Sequence, residues 1–194
     1  QFDVCALQFN VVPAGDTLYL RYLFSSEEYP TFNCTQFNDV FGIFVSGPGI
    51  TGTPNFAKVP GTNINVSINS INNGVPAGNI TNCSSLGAGS PFTSLYVNNL
   101  GTSISHNGFT QPLIARIPVV AGSTYLFKAA IADVSDGSGD SGFFIESSSL
   151  FSQPLLSLEP QSTDNSNTKP IFAKESCNPA RIRVNRPPNN SALN

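Results

Sequence analysis

Residues 26–45 read SEEYPTFNCTQFNDVFGIFV, a carboxylate-rich turn followed by a β-strand. The adjacent carboxylates Glu27 and Glu28 come first, and Asp39 directly precedes the apolar β-formers Val40–Val45. A second stretch, 133–146 (DVSDGSGDSGFFIE), has the same order of carboxylates and glycines before an apolar run. Six of the twelve Asp and Glu residues lie in the turns of these two stretches. We therefore expect the two acidic turns to meet in space.

Apolar residues alternate with polar ones through most of the first 151 residues, which is the pattern of half-buried strands. Two alternating runs, 4–11 and 17–24, flank a Pro-Ala-Gly-Asp turn and predict a hairpin. The run 123–134 is apolar on both faces, which is typical of a strand in the middle of a sheet. About nine such segments, among them 56–59, 64–68 and 142–150, are present without an amphipathic helix. They predict an all-β fold, an antiparallel β-sandwich of jelly-roll-like type.

The alternation stops after residue 151, which we predict as the end of the sandwich domain 1–151. Residues 152–174 are rich in Ser, Asn, Thr and Pro and are predicted to form an extended linker. In residues 175–194, Ala180, Ile182 and Val184 alternate with polar side chains. This pattern predicts one amphipathic strand without a partner, the truncated start of a following β-sandwich repeat.

The composition indicates an extracellular protein and argues against a nucleic-acid partner. Only 11% of the 194 residues are charged and the formal net charge is -3, whereas nucleic-acid binding requires clustered Lys and Arg. No apolar run approaches the roughly 20 residues of a membrane helix, so we expect no membrane insertion by this chain. Four widely spaced cysteines and a single histidine favour disulfides over a zinc site.

Three disulfide connectivities are formally possible for the four cysteines. We favour Cys34 with Cys83, because both lie in polar loops that a bridge would tie together. Cys5 lies in an apolar alternation and is predicted to be a small core residue. The pairing of Cys5 and Cys177 is left open.

The acidic turns predict a calcium site, because carboxylates interspersed with Gly, Ser and Asn supply the hard oxygen ligands that Ca²⁺ takes. The predicted ligands are Glu27, Glu28, Asp39, Asp133, Asp136 and Asp140. Two alternatives explain the same pattern. The carboxylates can cap turns through backbone amides, or they can form a salt-bridge network with Arg21 and Arg116.

We predict no catalytic residues. A glycosidase needs a pair of carboxylates, such as Glu27 or Glu28 with Asp39 or Asp133, but the chain has no Trp to form a sugar platform. Residues 139–142 read GDSG, as around a protease nucleophile, yet the only histidine, His106, lies in an Asn-Gly turn without apolar support.

Three segments together resemble the choice-of-anchor L domain of secreted, surface-displayed Bacteroidetes proteins. They are residues 3–50, which include SEEYP and FNDVFG, residues 59–74 (VPGTNINVSINSINNG) and residues 108–149, which include IADVSDGSGDSG. The resemblance covers about residues 2–151. Such proteins include large gliding-motility adhesins and other substrates of type IX secretion.

The resemblance implies an extracellular, non-catalytic module of a large cell-surface adhesin, associated with the outer membrane through its parent protein and acting in surface attachment or gliding motility. Its expected partners are a surface polysaccharide or another extracellular ligand and the neighbouring domains of the same chain. The alternative is a carbohydrate-binding module of a secreted multidomain protein. In that case the loop 69–91 and Tyr29, Phe32 or Tyr96 would receive the sugar.

Overall fold

The structure is a computed structural model that describes residues 2–79, 82–83, 92–99, 104–153, 157–161 and 181–185. Within these ranges the regular elements are eleven strands and a short 3-10 helix at Thr93–Leu95. The strands are β1 (Phe2–Val11), β2 (Thr17–Ser26), β3 (Val40–Ser46), β4 (Tyr96–Asn98), β5 (Gly108–Thr110), β6 (Leu113–Pro118), β7 (Tyr125–Asp133), β8 (Ser141–Ile145), β9 (Phe151–Ser152), β10 (Ser157–Gln161) and β11 (Arg181–Asn185). The predicted all-β sandwich class is confirmed.

One sheet is built around the ten-residue strand β2, which has neighbouring strands on both sides. On one side β6 and then β5 run antiparallel to β2, and β4 extends the sheet beyond β5. On the other side β9 and β8 pair with successive parts of β2. Alternate residues of β2 are buried, as the sequence alternation predicts. We call this sheet the β2 sheet.

The second sheet has the order β1-β7-β3 and is entirely antiparallel. Its middle strand is β7, which confirms the prediction that the run 123–134 is central. The outward-facing residues Leu126 and Lys128 are nevertheless exposed, so this strand is covered on one face only. We call this sheet the β7 sheet.

The core lies between the two sheets. The β2 sheet contributes the buried even-numbered residues of β2 and the odd-numbered residues of β6. The β7 sheet contributes the odd-numbered residues of β3 and β7. Aromatic contacts cross this interior: the ring centroids of Tyr22 and Phe41 are 5.1 Å apart, and those of Phe41 and Phe143 are 4.8 Å apart. The arrangement is the two-layer packing expected when each sheet has one apolar face.

Three local predictions are wrong. β1 and β2 do not form a hairpin, since β1 pairs with β7 and β2 belongs to the other sheet. Cys5 is exposed, because this part of β1 lies at the edge of its sheet with both faces accessible, and it has no disulfide partner among the residues that the structure describes. The run 142–150 is not one continuous strand, since β8 ends at Ile145, a turn follows, and β9 begins only at Phe151.

The predicted strands at 56–59 and 64–68 are also irregular. They make only isolated bridges: Lys58 with Asn65, Ser67 with Val40, and the preceding Asn55 with Phe44. This irregular segment runs beside β3 and supplies core residues such as Val59 and Ile68.

The C-terminal strand was predicted correctly, but the expectation that it has no partner is wrong. β11 pairs antiparallel with β10 over five residues, from Ser157 opposite Asn185 to Gln161 opposite Arg181. The partner strand therefore lies inside the segment predicted to be a linker. The division of the chain at residues 152–174 and 175–194 stays a prediction.

Candidate functional site

The two acidic turns meet because both connect the same pair of sheets at the same end. The β2–β3 connection leaves the β2 sheet and enters the β7 sheet, and the β7–β8 connection runs the opposite way. Pairing brings Ser26 opposite Ser141 and Val40 opposite Ala132. The carboxylates just beyond these pairs must therefore lie close together. The expected meeting of the acidic turns is confirmed.

We call the carboxylates of the two turns the acidic cluster: Glu27, Glu28, Asp39, Asp133, Asp136 and Asp140. Asp39 is its best-anchored member. Only 1% of the residue is exposed. Its Oδ1 accepts the backbone N–H of Val134 at 3.1 Å, and its Oδ2 accepts the Ser141 hydroxyl at 2.6 Å. Burial raises the pKa of Asp39, which the hydrogen bonds from Ser141 and Val134 partly offset. The hydroxyl of the GDSG sequence thus fixes Asp39 in place.

Asp133 lies close enough to Asp39 for the two carboxyl groups to interact electrostatically. Burial raises the pKa of Asp133 to about 6, with further increases from the charges of Asp39, Asp3, Asp140 and Asp136. Asp3, on β1, was not among the predicted site residues. No local signal pointed to it, because it reaches the cluster only through the pairing of β1 with β7.

Glu28 has the most perturbed carboxyl group. It is 3% exposed, and its Oε2 has no hydrogen-bond partner among the described residues. Burial raises the pKa of Glu28 to about 8, and the charges of Asp39, Asp136 and Asp133 contribute to the increase. Gly139 lies against this side chain: its φ is +80°, and an added Cβ would come within 3.1 Å of Glu28 Cγ.

The remaining predicted ligands contribute less directly. Asp136 is half-buried, and its Oδ1 accepts the N–H of Ser138 at 3.1 Å, a turn cap of the kind expected for an Asp in a loop. Asp140 is exposed, and its backbone carbonyl accepts the N–H of Glu27 at 2.9 Å. Glu27 takes part through its backbone, since its own carbonyl accepts Asn107 Nδ2.

Neither arginine neutralises this cluster, so the alternative of a salt-bridge network with Arg21 and Arg116 is wrong. Arg21 forms an ion pair with Glu146 at 2.9 Å, and the Arg116 guanidinium lies over the Tyr19 ring, 5.9 Å from its centroid. Within the described ranges, no three His, Cys, Asp or Glu side chains are arranged to hold a metal ion. The acidic cluster thus contains three neighbouring carboxyl groups with raised pKa values, those of Glu28, Asp39 and Asp133.

The only histidine, His106, contacts Ser25 and not Ser141, the serine of the GDSG sequence. His106 Nδ1 is 2.6 Å from the Ser25 hydroxyl, which in turn lies 3.2 Å from the carbonyl of Gly142. Ser25 is fully buried, and Ser141 donates to Asp39. The described residues therefore contain no Ser-His pair that a substrate could reach.

Two of the three aromatic residues proposed to receive sugar make contacts inside the protein instead. Tyr29 is fully buried, and its hydroxyl donates to the carbonyl of Ile71 at 2.6 Å. The Tyr96 hydroxyl is also buried, and its ring packs against Tyr29 with centroids 5.1 Å apart. Phe32 is 38% exposed beside Phe37. The structure therefore does not assemble these three side chains into a sugar platform.

A disulfide fixes the acidic turn to the neighbouring loop. Cys34 and Cys83 are bonded, with Cα atoms 5.1 Å apart, as we predicted. Asn69 reinforces the link, since its Oδ1 accepts the N–H of Cys34 at 2.7 Å and its Nδ2 donates to the carbonyl of Thr35 at 2.9 Å. Cys177 lies outside the described residues.

Comparisons with known proteins bear on the sandwich as a whole. Neither the curated proteins nor the solved structures gave a match. No helix in the described part of the chain is long and apolar enough to cross a membrane. A family model described as the choice-of-anchor L domain matches residues 1–151, the region that carries both sheets and the acidic cluster. The chain therefore belongs to the choice-of-anchor L domain family.

Proposed function

We propose that the sandwich is a non-catalytic extracellular module of a large cell-surface adhesin, acting in surface attachment or gliding motility, and that its parent protein is exported by type IX secretion. The family match supports a secreted or surface protein. The observation that carries the proposal is the fully buried Cys34–Cys83 bridge, because such bonds form and persist in oxidising compartments.

The test combines location with attachment. Antibodies against the domain should label intact cells that make the protein, and beads coated with the domain should stay on the attachment surface under flow. The control beads carry the same domain after reduction and unfolding. Label that appears only after cell lysis, or coated beads that wash off as readily as the controls, would contradict the proposed function.

We also propose that Ca²⁺ stabilises the module at the acidic cluster. In support, the residues Glu28, Asp39 and Asp133 are each at least nine-tenths buried, and Glu28 Oε2 lacks a partner. A divalent cation would compensate buried negative charge that neither arginine reaches. Since the carboxylates do not already surround one point, binding requires at least one of them to change rotamer.

Thermal melting tests the calcium proposal. A ligand that binds only the native state at 100 times its Kd adds about 2.7 kcal/mol, which corresponds to roughly 5–10 °C in Tm for a domain of this size. We expect EDTA to lower Tm and restored Ca²⁺ to raise it, and Asp39→Asn to abolish the difference. Asp16→Asn, at an exposed carboxylate in the β1–β2 turn, is the matched control. A Tm unmoved by Ca²⁺ refutes the calcium proposal.

A further inference from the structure

The outer face of the β2 sheet carries a row of three contacting side chains. Tyr19 is paired with Arg116 across β6 and with Phe151 across β9, and paired residues of antiparallel strands point to the same face. The rings of Tyr19 and Phe151 stack with centroids 5.1 Å apart, and the Arg116 guanidinium lies over the Tyr19 ring. The row holds the guanidinium in place, and no carboxylate of the described residues forms an ion pair with it.

Arg116 also lines a surface cleft of about 660 Å³ between the free edge of β6 and the irregular segment at residues 54–63. Lys58 lines the opposite side, where its Nζ donates to the carbonyl of Asn63 at 3.1 Å and to Asn65 Oδ1 at 2.6 Å. An ammonium group has three donors, so one is left for a ligand. The floor includes Ile114, which is 46% exposed.

The charge of the cleft is opposite to that of the rest of the domain. Residues 1–151 contain nine acidic and four basic side chains. Two of the four basic side chains, Lys58 and Arg116, line the cleft, and none of the acidic ones does. Two cations fixed beside an apolar floor favour an anionic ligand that also has apolar surface.

We propose that this cleft binds an anionic glycan, with a carboxylate or sulfate of the sugar at Arg116 and Lys58 and the carbon face of the ring on Ile114. This inference rests on the proposed attachment function and names its ligand class. Pro112 and Pro118 flank or end β6, which disfavours the alternative of an acidic peptide adding as a strand. Two cations are too few for the phosphate contacts of nucleic acid.

Titration of the purified module with defined polymers tests the proposal. The probes are polygalacturonate, dextran sulfate, neutral dextran and polyglutamate, which is an anion without sugar rings. We expect binding to one or both anionic glycans, with the two arms distinguishing carboxylate from sulfate. Binding should weaken as salt is raised. Equal binding of polyglutamate or dextran overturns the proposal.

Charge-matched variants locate the site. Arg116→Gln and Lys58→Gln should each weaken glycan binding at least about tenfold, the loss expected for one charge-assisted hydrogen bond. Lys128→Gln, on the outer face of the β7 sheet, removes the same charge and should leave binding unchanged. If all three variants lose glycan binding equally, the assignment of the site to this cleft is wrong. If no glycan binds while coated beads still attach to the surface, this inference fails and the attachment function stands; if the beads also fail, both do.

Discussion

Replacing Glu28 with Gln should remove most of the dependence of stability on pH between pH 6 and 8 in EDTA. Burial and the neighbouring carboxylates raise the pKa of this group from 4.5 to about 8 in the folded protein. Between these values the native state holds a proton that the unfolded state has lost, so the free energy of unfolding falls as pH rises. Gln has a similar shape but does not ionise. The decrease in the free energy of unfolding between pH 6 and 8 should therefore be largely absent from the Glu28→Gln variant.

The size of the effect follows from the width of the interval. For each pH unit over which only the folded state holds the proton, the free energy of unfolding falls by about 1.36 kcal/mol. The free energy of unfolding of the wild type should therefore fall by roughly 2–3 kcal/mol from pH 6 to pH 8. Asp133 contributes mainly at lower pH, because its raised pKa is about 6. The interval above pH 6 therefore isolates Glu28 from its neighbour.

Urea unfolding at half-unit steps from pH 5 to 9, with EDTA throughout, measures the free energy directly. Glu27→Gln is the matched control: the same change one residue away, in a half-buried side chain, should keep the slope of the wild type. The difference between the curves cancels contributions from groups common to all three proteins. Parallel curves for the wild type and Glu28→Gln from pH 6 to 8 would refute the reasoning.

Three further outcomes are expected. Replacing Cys34 and Cys83 together with Ala should cost about 4 kcal/mol in urea unfolding, because the bridge closes a loop across 49 positions; a loss below about 1 kcal/mol would show that the loop is held without it. Gly139→Ala should destabilise by about 2 kcal/mol, more than Gly61→Ala, since both have positive φ but only Gly139 faces Glu28; equal losses would contradict that contact. In a Cys177→Ser background, Cys5 should react with a maleimide without denaturant, and protection until unfolding would contradict its exposure.

Much of the site could be predicted because its signals are local. Carboxylates placed directly before strands marked the two turns, and the order of carboxylates, glycines and apolar residues that both turns share suggested that they meet. The disulfide was predicted from two polar loops and is present. The composition of these turns, however, could not distinguish a metal site, turn caps and salt bridges, because all three use the same side chains.

Other features depended on contacts between distant residues. Adjacent residues at a strand end face different ways, and in the structure Glu28 enters the cluster while Glu27 takes part through its backbone. Asp3 joins it through pairing across 131 positions, from Phe2 to Asp133. Arg21 and Arg116, which the salt-bridge alternative assigned to the acidic turns, instead point to the outer face of the β2 sheet.

The amino-acid sequence by itself determined where most strands lie and which of their faces are apolar, because side-chain alternation is a property of neighbouring residues. It did not determine which strands pair. β1 and β2 have the pattern of a hairpin, yet they lie in different sheets, and β11 has its partner within a segment that lacks alternation. Strand pairing is decided by the burial of both sheets against one another, a free energy that belongs to the assembled sandwich rather than to any local stretch.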